Sequence, residues 1–315
     1  MRIVFMGTPA FVLPVLDSLL QAGHDIAAVY TRPDSPAGRG QRTVSPPVKD
    51  FAVGKGLPVV QPESLRRRPA LDEMRALAPE AIVVAAYGRI LPPEALAIPL
   101  RGVLNIHPSL LPKYRGPSPV ATAILDGCET TGVTVMLLDE GMDTGPLLAQ
   151  QEAAILPDEG AGALTARLFV LGAELLVQTL PRWTQGELFP RPQDNAQATV
   201  TKLYAKEDGE LDWAKPASYL ARMLRAFDPW PGCSTRWDGK LLKVVAAVTL
   251  DAALPAGAAP GAVLTRSPDG RETLCVATGE GLLRLDRVQL EGKRPQEAAE
   301  FLRGYPRFAG ARLPS

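Results

Sequence analysis

A carboxamide and an imidazole stand two positions apart in the run Asn105-Ile-His107-Pro-Ser-Leu-Leu-Pro112, which holds one of only two histidines in the chain. The apolar stretch of residues 102–106 is typical of a strand. Because residues two apart on a strand point to the same face, Asn105 and His107 are expected to converge. Open α/β sheets build their sites at the carboxyl ends of such strands. The alternative interpretation is a polar turn that leaves a strand and does no chemistry.

An acidic loop, Leu138-Asp-Glu-Gly-Met-Asp-Thr-Gly145, follows another apolar stretch that is typical of a strand. Its two glycines allow sharp turns and a close approach of a ligand to the backbone. We interpret the loop as carrying one carboxylate to His107, where it would fix which ring nitrogen holds the proton. Asp143, flanked by the glycines, is preferred to Asp139 or Glu140 because of its reach. A hairpin loop with acidic turn residues is the alternative.

An Asn, a His and an Asp around one strand end suit acyl transfer to an amine. Attack of an amine on the acyl carbon builds a tetrahedral intermediate with a negative oxygen. Asn105 and a charged His107 can donate hydrogen bonds to that oxygen. Asp143 or an ordered water can accept the proton that the amine loses. An already activated acyl donor needs no Ser or Cys nucleophile; Ser109 is the alternative nucleophile, although no nucleophile elbow surrounds it.

The connection formed by residues 31–49 is long for its position between a strand and the next element. Its charged side chains are four cations and one acid: Arg32, Arg39, Arg42, Lys49 and Asp34. Loops of this length in compact domains are usually functional or disordered. The segment is therefore either a solvated flexible loop or a cationic arm that contacts a phosphate backbone through Arg39 and Arg42. The run Arg66-Arg-Arg68 is interpreted as a solvated helix face.

Composition bounds the class of protein. The 315 residues contain 34 Lys+Arg and 34 Asp+Glu, so the net charge gives no sign of a polyanionic partner. The three cysteines form no CxxC pair, which argues against a disulfide framework or metal site and favours a reducing compartment. The amino terminus lacks a signal h-region, and no apolar run is expected to reach the roughly 20 residues of a membrane span. We expect a cytoplasmic protein without a bound metal.

Strands and helices alternate through about residue 185, which predicts an α/β domain. The predicted strands are 2–6, 25–30, 57–60, 81–86, 102–106, 133–138 and 147–155, and the predicted helices are 10–21 and 162–179. The first turn, Gly7-Thr8-Pro9, lacks the G-x-G-x-x-G pattern, so a nucleotide cofactor bound in the usual way is not expected.

The pattern changes after the first domain. Residues 186–203 lose periodicity and are interpreted as a linker. Residues 204–315 follow with a short helix at 215–226 and then short β segments separated by Asp-Gly and Gly-Glu-Gly turns. This spacing predicts a small β-barrel of OB-like topology.

These motifs, in this order, resemble the methionyl-tRNA formyltransferase family of folate-dependent formyltransferases, and the resemblance covers nearly the whole chain. The matching segments are Phe5-Met-Gly-Thr-Pro9, Pro36-Ala-Gly-Arg-Gly40, Tyr87-Gly-Arg-Ile-Leu-Pro92, Asn105-Ile-His-Pro-Ser-Leu-Leu-Pro112, Arg115-Gly116, Met142-Asp-Thr-Gly145 and Arg225-Ala-Phe-Asp-Pro-Trp-Pro231. The Ser-Leu-Leu-Pro element with its Asn, His and distant Asp is similar across folate-dependent formyltransferases. The Pro-Ala-Gly-Arg-Gly and Phe-Asp-Pro-Trp-Pro segments are more particular to the tRNA enzymes.

The resemblance implies a Rossmann-like catalytic domain with a mostly parallel sheet over residues 1–185 and a tRNA-binding barrel domain over 204–315. It implies 10-formyltetrahydrofolate as the formyl donor substrate and the α-amino group of initiator methionyl-tRNA as the acceptor, with no obligate protein partner. It implies that the catalytic residues are Asn105, His107 and Asp143. The implied folate contacts are Ser109, Leu110, Leu111, Pro112, Tyr87, Gly88, Arg89, Ile90, Leu91, Asp139 and Glu140. The implied tRNA contacts are Arg39 and Arg42.

Two departures from the family pattern lie outside the catalytic positions. Gln41-Arg42 follows the Ala-Gly-Arg-Gly turn where family members often carry two lysines, which lowers the charge of the loop. Pro108 stands where some members have glycine.

Four other functions compete with this interpretation. A formyltransferase acting on an amino-sugar nucleotide can share both domains, but a small acceptor needs no arginine-bearing arm. A glycinamide ribonucleotide formyltransferase would be shorter and would lack the second domain. A hydrolase could use the same three residues to release formate to water. A catalytically silent RNA-binding protein would not need the Asn, His and Asp.

Overall fold

The computed structural model describes residues 1–37, 42–266 and 273–315. The chain divides into two compact units. The first unit consists of Met1–Pro119, Glu129–Ile155 and Ala163–Lys202, and the second of Val120–Cys128, Leu156–Gly162 and Leu203–Ser315. The domain bounds predicted from the sequence stay a prediction.

A seven-stranded sheet forms the framework of the first unit. The strands of this unit are β1 (Arg2–Gly7), β2 (Asp25–Tyr30), β3 (Ser35–Ala37), β4 (Arg42–Val44), β5 (Val59–Val60), β6 (Ala81–Ala85), β7 (Val103–His107), β8 (Thr130–Leu137) and β9 (Leu147–Ala154). The sheet has the order β5-β2-β1-β6-β7-β8-β9, and β3 and β4 form a separate hairpin. Pairs from β5 to β7 are parallel, whereas β8 is antiparallel to both of its neighbours.

The α-helices are, in chain order, α1 (Leu13–Gln21), α2 (Pro47–Gly54), α3 (Arg68–Ala76), α4 (Pro93–Leu96), α5 (Pro119–Leu125), α6 (Ala161–Thr184), α7 (Ala217–Ala226) and α8 (Ala298–Gly304). Short 3-10 turns occupy Ala10–Val12, Asn195–Gln197, Lys206–Gly209 and Pro306–Phe308.

Strand β7 is buried along its whole length because helices and loops cover both faces of the sheet. Its side chains divide between these faces by simple alternation. A Cβ added at Gly172 of α6 would lie 2.6 Å from Cγ2 of Ile106, so Ile106 packs directly under that helix. Asn105 and His107 therefore point to the opposite face, away from α6. The sequence-based expectation that these two side chains share a face is thus met by the strand geometry.

Helix α6 is long and apolar enough by length and composition to cross a membrane, contrary to the expectation that no apolar run would reach that length. Half of its most apolar window is buried in the protein. Leu168 is buried, and Phe169 and Leu176 belong to the same hydrophobic cluster as Phe5 of β1. These contacts are those of a core helix covering one face of a sheet, which passes the same test of length and apolarity.

The second unit contains an antiparallel sheet. Its strands are β10 (Cys233–Trp237), β11 (Lys240–Leu250), β12 (Val263–Arg266), β13 (Thr273–Ala277), β14 (Leu282–Leu290) and β15 (Gln296–Glu297). The pairing order is β10-β11-β14-β13-β12, with β15 added to β14. The predicted α/β class with a mostly parallel sheet and an antiparallel C-terminal domain is confirmed, while closure into an OB-like barrel stays a prediction.

Candidate active site

The end of β7 presents an unpaired carboxamide in a buried position. Asn105 is 9% exposed and His107 is 4% exposed. Among the residues that the structure describes, no group forms a hydrogen bond with the side chain of Asn105. An amide that makes no hydrogen bond within the protein keeps its two donors and its acceptor for another molecule. The amide of Asn105 is therefore suited to receive a ligand atom.

The imidazole of His107 has a defined proton arrangement. Its Nε2 lies 2.8 Å from the carbonyl oxygen of Tyr114. A carbonyl can only accept, so Nε2 carries the proton and donates. Nδ1 faces Oδ2 of Asp143 at 3.6 Å, which is an ion-pair separation and longer than a hydrogen bond. Protonation of Nδ1 would therefore place a positive ring directly against the carboxylate.

Asp143 reaches His107 by an indirect route. Because β8 is antiparallel to β7, Leu137 at the end of β8 pairs with Leu104 near the start of β7. The loop after β8 thus leaves the sheet beside the start of β7, about 10 Å from His107 at roughly 3.3 Å per residue. It folds back to bring the Asp143 carboxylate to the imidazole. The predicted meeting of Asp143 and His107 occurs over the face of β7.

Two glycines allow the backbone to hold this carboxylate. Oδ2 of Asp143 accepts a hydrogen bond of 2.8 Å from the backbone N–H of Gly116. Gly116 has φ +102°, and a Cβ there would lie 2.9 Å from the carbonyl oxygen of Thr201. A Cβ at Gly145 would lie 1.9 Å from the carbonyl oxygen of Leu137. Side chains at either glycine would displace the segments that position Asp143.

Residues 109–112, predicted to contact folate, fold beside the catalytic candidates. Ser109 is fully buried, and its hydroxyl donates to the carbonyl of Lys113 at 2.7 Å. This intramolecular bond gives Ser109 a structural role and leaves no base positioned to activate it among its described partners. Leu110 packs near Gly132, and Leu111 joins a cluster with Met136 and Leu147. Pro112 is half-buried at the end of the segment.

Residues 87–91 follow β6 and form the second predicted folate segment. Tyr87 and Leu91 are buried, whereas Gly88 is exposed. Arg89 donates from its guanidinium to the carbonyls of Pro62 and Glu63, so it anchors a neighbouring loop. Ile90 presents an apolar side chain that is 73% exposed. Burial raises the pKa of the Tyr87 hydroxyl, which stays neutral at physiological pH.

Asp139 and Glu140, the third set of predicted folate contacts, have different environments. Oδ1 of Asp139 accepts hydrogen bonds from the backbone of Gly141 and the hydroxyl of Thr144, which stabilises the turn. Glu140 is exposed. Leu138, just before them, packs against the cluster of Leu91 and against that of Leu111. The three predicted folate segments therefore meet around Leu138.

Strands β3 and β4 form a hairpin within the connection of residues 31–49. Val44, the last residue of β4, pairs with Ser35 and is exposed. The base of the hairpin is fixed because Asp34 forms an ion pair with Lys49 at 2.6 Å and accepts a hydrogen bond from Gln61. Of the two predicted tRNA contacts, Arg39 lies outside the described residues, and only the backbone of Arg42 is described.

The comparison with known proteins identifies the family. A family profile described as "Formyl transferase" matches residues 1–180, and one described as "Formyl transferase, C-terminal domain" matches residues 204–306. A protein named methionyl-tRNA formyltransferase from Chloroflexus aurantiacus is 51% identical over 304 residues, which are 96% of this chain and 97% of the relative. The chain belongs to the methionyl-tRNA formyltransferase family. The resemblance inferred from the motifs is confirmed.

Several solved structures share the fold. HypX from Aquifex aeolicus in complex with tetrahydrofolic acid superposes with a TM-score of 0.64 at 19% identity over 96% of this chain. This chain spans about half the length of HypX, with 47% covered. An N-formyltransferase from Helicobacter canadensis, in complex with folinic acid and dTDP-3-aminofucose, gives a TM-score of 0.63 at 17% identity over 90% of this chain and 98% of that protein. At these identities the likeness extends to the fold alone.

No cluster of three or more His, Cys, Asp or Glu side chains able to hold a metal occurs within residues 1–37, 42–266 and 273–315. The site is therefore described by its amide, imidazole and carboxylate groups.

Sequence reasoning missed the residues that support Asp143 from a distance in the chain. Arg115 is buried, and Gln193 connects it to the loop of Asp143 by hydrogen bonds. Gln193 lies in the segment that was predicted to be a linker. The signal in the sequence was the concentration of carboxamides and an acid at Gln193-Asp-Asn-Ala-Gln197, which an unstructured connection does not require.

Proposed function

We propose that this member of the methionyl-tRNA formyltransferase family transfers the formyl group of 10-formyltetrahydrofolate to the α-amino group of initiator methionyl-tRNA. The observation that carries the proposal is the buried Asn105 carboxamide, which has no hydrogen-bond partner in the described chain and lies on the same strand face as His107. The relative that is 51% identical over nearly the full length supports the choice of acceptor.

The proposed reaction is a direct attack of the amine on the formyl carbon. The new C–N bond converts the carbonyl into a tetrahedral centre with a negative oxygen. The amide NH2 of Asn105 donates a hydrogen bond to that oxygen, and preorganised donors of this kind contribute a factor of about 10²–10³ to turnover. Collapse of the intermediate breaks the bond to N10 of the folate, which takes up a proton and leaves as tetrahydrofolate.

His107 and Asp143 act on the two groups whose charge changes during the reaction, the substrate oxygen and the attacking amine. At 3.6 Å, Nδ1 forms no hydrogen bond with Oδ2, so a substrate oxygen can compete for the Nδ1 proton when the ring is charged. Asp143, or a water bound to it, accepts the proton from the attacking amine. No covalent enzyme intermediate is needed because the folate N10 is already a leaving group.

The three segments around Leu138 suit the binding of an aromatic donor with a polar edge. Ile90 of residues 87–91 and Met142, two positions after Glu140 in the same loop, expose apolar side chains, at 73% and 55%. Their burial against a planar ring would remove apolar surface from water, at roughly 25 cal/mol per Å². We assign the folate-binding role to residues 109–112, 87–91 and 139–140 on this ground.

Recognition of the tRNA is assigned to a different part of the chain. Arg39 and Arg42 are proposed to contact phosphates, and residues 204–315 to form the tRNA-binding domain, with 1–185 as the catalytic domain. The profile that matches residues 204–306 supports a separate C-terminal domain there. We place the reaction in the cytoplasm, where initiator tRNA is charged, and propose that it involves only this chain, the folate donor and the tRNA.

One assay tests this function against its rivals. The purified protein is incubated with 10-formyltetrahydrofolate labelled in the formyl group and with initiator methionyl-tRNA, an amino-sugar nucleotide or no acceptor. Transfer of label to the tRNA in preference to the sugar supports the proposal. Transfer to the sugar nucleotide alone, or release of labelled formate without an acceptor, would replace it with an amino-sugar formyltransferase or a hydrolase.

A further inference from the structure

The carboxamide of Gln193 connects a buried cation to the loop that carries Asp143. Its Oε1 accepts two hydrogen bonds from Arg115, of 3.0 Å from Nε and 2.8 Å from Nη2. Its Nε2 donates to the carbonyl of Asp143 at 2.8 Å and to that of Gly145 at 2.7 Å. All the strong hydrogen-bonding capacity of this side chain is therefore used between these two segments.

The orientation of this amide is determined by its partners. A guanidinium only donates and a carbonyl only accepts, so a flipped amide would face a donor with its NH2 and two carbonyls with its oxygen. Arg115 is buried, and its Nη2 also donates a hydrogen bond of 2.8 Å to Oδ1 of Asn195. Within the described residues it has no carboxylate partner at salt-bridge distance. The neutral carboxamides of Gln193 and Asn195 thus bind the guanidinium, and Gln193 also binds the loop that carries Asp143.

Asp143 needs such support from outside its own loop. Its φ of +53° lies in the left-handed region, which residues with a Cβ adopt only uncommonly. The backbone N–H of Gly116 fixes the carboxylate, while Gln193 fixes the backbone carbonyl of the same residue. The carboxylate and the backbone carbonyl of Asp143 are therefore held by two different segments of the chain.

We propose that Gln193 is a positioning residue for formyl transfer, which sets the distance between the Asp143 carboxylate and the His107 imidazole through the backbone of the Asp143 loop. The inference rests on the proposed function of Asp143 and His107 and adds a contribution from the segment that the sequence predicted to be a linker. Gln193 touches no reacting atom. Its effect is on turnover because displacement of a catalytic group by about 1 Å can cost as much as 100-fold.

The test uses two substitutions that separate the two ends of the amide. Gln193→Met keeps the side-chain length and removes every hydrogen bond. Gln193→Glu retains acceptors for Arg115 and loses the donor to the carbonyls of Asp143 and Gly145. Both variants are expected to lose roughly 10- to 100-fold in kcat with little change in the KM of the folate donor. Gln193→Glu keeps the pairing with the guanidinium and places its second oxygen against the two carbonyls, so its loss of kcat arises at the Asp143 loop.

Gln197→Ala is the matched control. Gln197 lies four residues away and its side chain bonds only to Asp194 among the described contacts, so its removal should leave kcat unchanged. In an Asp143→Asn background, Gln193→Met should cause no further loss, because residues that act as one unit are not additive. Full activity of Gln193→Glu would show that the amide only satisfies Arg115. A further loss equal to that in the wild-type background would show that Gln193 acts independently of Asp143. Either result overturns the proposal.

A measurement without substrate separates this inference from the proposed function. With His24 replaced by Gln, His107 is the only imidazole in the chain, so its nitrogen chemical shifts can be read directly by NMR. Gln193→Met should move the Nδ1 signal toward that of Asp143→Asn, and Gln197→Ala should not. An unchanged Nδ1 signal in Gln193→Met overturns the positioning role whichever acceptor the enzyme uses. Absence of methionyl-tRNA formylation in the wild type, with the NMR shift present, overturns only the assigned acceptor.

Discussion

The Asp143–His107 pair and the hairpin of β3 and β4 differ in how the fold holds them. The side chains of His107 and Asp143 are 5% and 16% exposed, and backbone groups of Tyr114 and Gly116 bind them. The hairpin exposes Ser35 and Val44 and is attached at its base through Asp34. A reaction that stabilises a short-lived charge needs donors fixed in advance, whereas binding to phosphates needs charge that water and the partner can both reach.

The largest effect is expected from the buried pair. His107→Ala should lower turnover by roughly 10²- to 10⁴-fold, the range for losing an acid–base group. The protein should stay folded, because His107 is the last residue of β7 and its ring nitrogens face the carbonyl of Tyr114 and the carboxylate of Asp143. Steady-state kinetics with a melting curve measures both quantities. His24→Ala is the control, since the other histidine lies outside the site, and near-normal turnover in folded His107→Ala would remove the residue from the mechanism.

Asp143→Asn is expected to be as damaging as His107→Ala, and the two losses should not multiply. The 3.6 Å contact makes them one unit, and such units show strongly non-additive losses. The two single variants and the double variant are compared under identical conditions. A double variant whose loss equals the product of the single losses would mean that the two groups work independently.

The two arginines that are proposed to contact tRNA should affect binding and leave the chemistry intact. The double change Arg39→Ala and Arg42→Ala should raise the KM for methionyl-tRNA. The salt dependence of tRNA binding should fall by about one unit of slope for each phosphate that no longer pairs with an arginine. Folate affinity should stay the same because residues 109–112 are untouched. Both affinities are measured at two salt concentrations.

The matched control removes two cations elsewhere. Arg67 and Arg68 are exposed at the start of α3 and already paired with Glu63 and Asp72. The double change Arg67→Ala and Arg68→Ala should leave the tRNA KM unaltered. If both double variants raise KM equally, the effect is one of net charge; an unchanged KM in the hairpin variant rules out the arm.

The smallest effect is expected at the base of the hairpin. Hydrogen bonds from Gln61 and then from Lys49 lower the pKa of the Asp34 carboxyl. A depressed folded-state pKa gives stability that is present above the unfolded value, about 3.9, and is lost as the pH falls through the folded value. Asp34→Asn should therefore lower the melting temperature slightly at about pH 7, with a difference from wild type that shrinks toward about pH 3. If the difference in melting temperature persists at the lower pH, the loss of stability arises from packing and not from the charge of Asp34. The kcat should not change in this variant.

Several elements could be predicted from the sequence because their patterns are local. The bounds of β2 were predicted as observed, and β7 was displaced by one residue. Apolar runs in β1 and β6 indicated buried strands because parallel sheets are covered on both faces. Helix α2 was not predicted, since proline at its first turn obscures the pattern of its apolar face. Helix α3 was indicated only through the interpretation of Arg66-Arg-Arg68 as a helix face, and of these three residues only Arg68 lies in the helix. Helix α6 extends five residues beyond the predicted end, through Pro181.

The sequence by itself determined that Asn105 and His107 share a strand face, because side-chain alternation depends only on neighbouring residues. It also narrowed the carboxylate to one acidic loop. Only the tertiary structure decided how Asp143 comes to His107, since the antiparallel direction of β8 sends the loop away from the imidazole before it folds back. Gln193 is likewise beyond local reasoning. Its partners Gly145 and Arg115 lie 48 and 78 positions away in the chain, and interactions at that separation leave no periodic signal in the sequence.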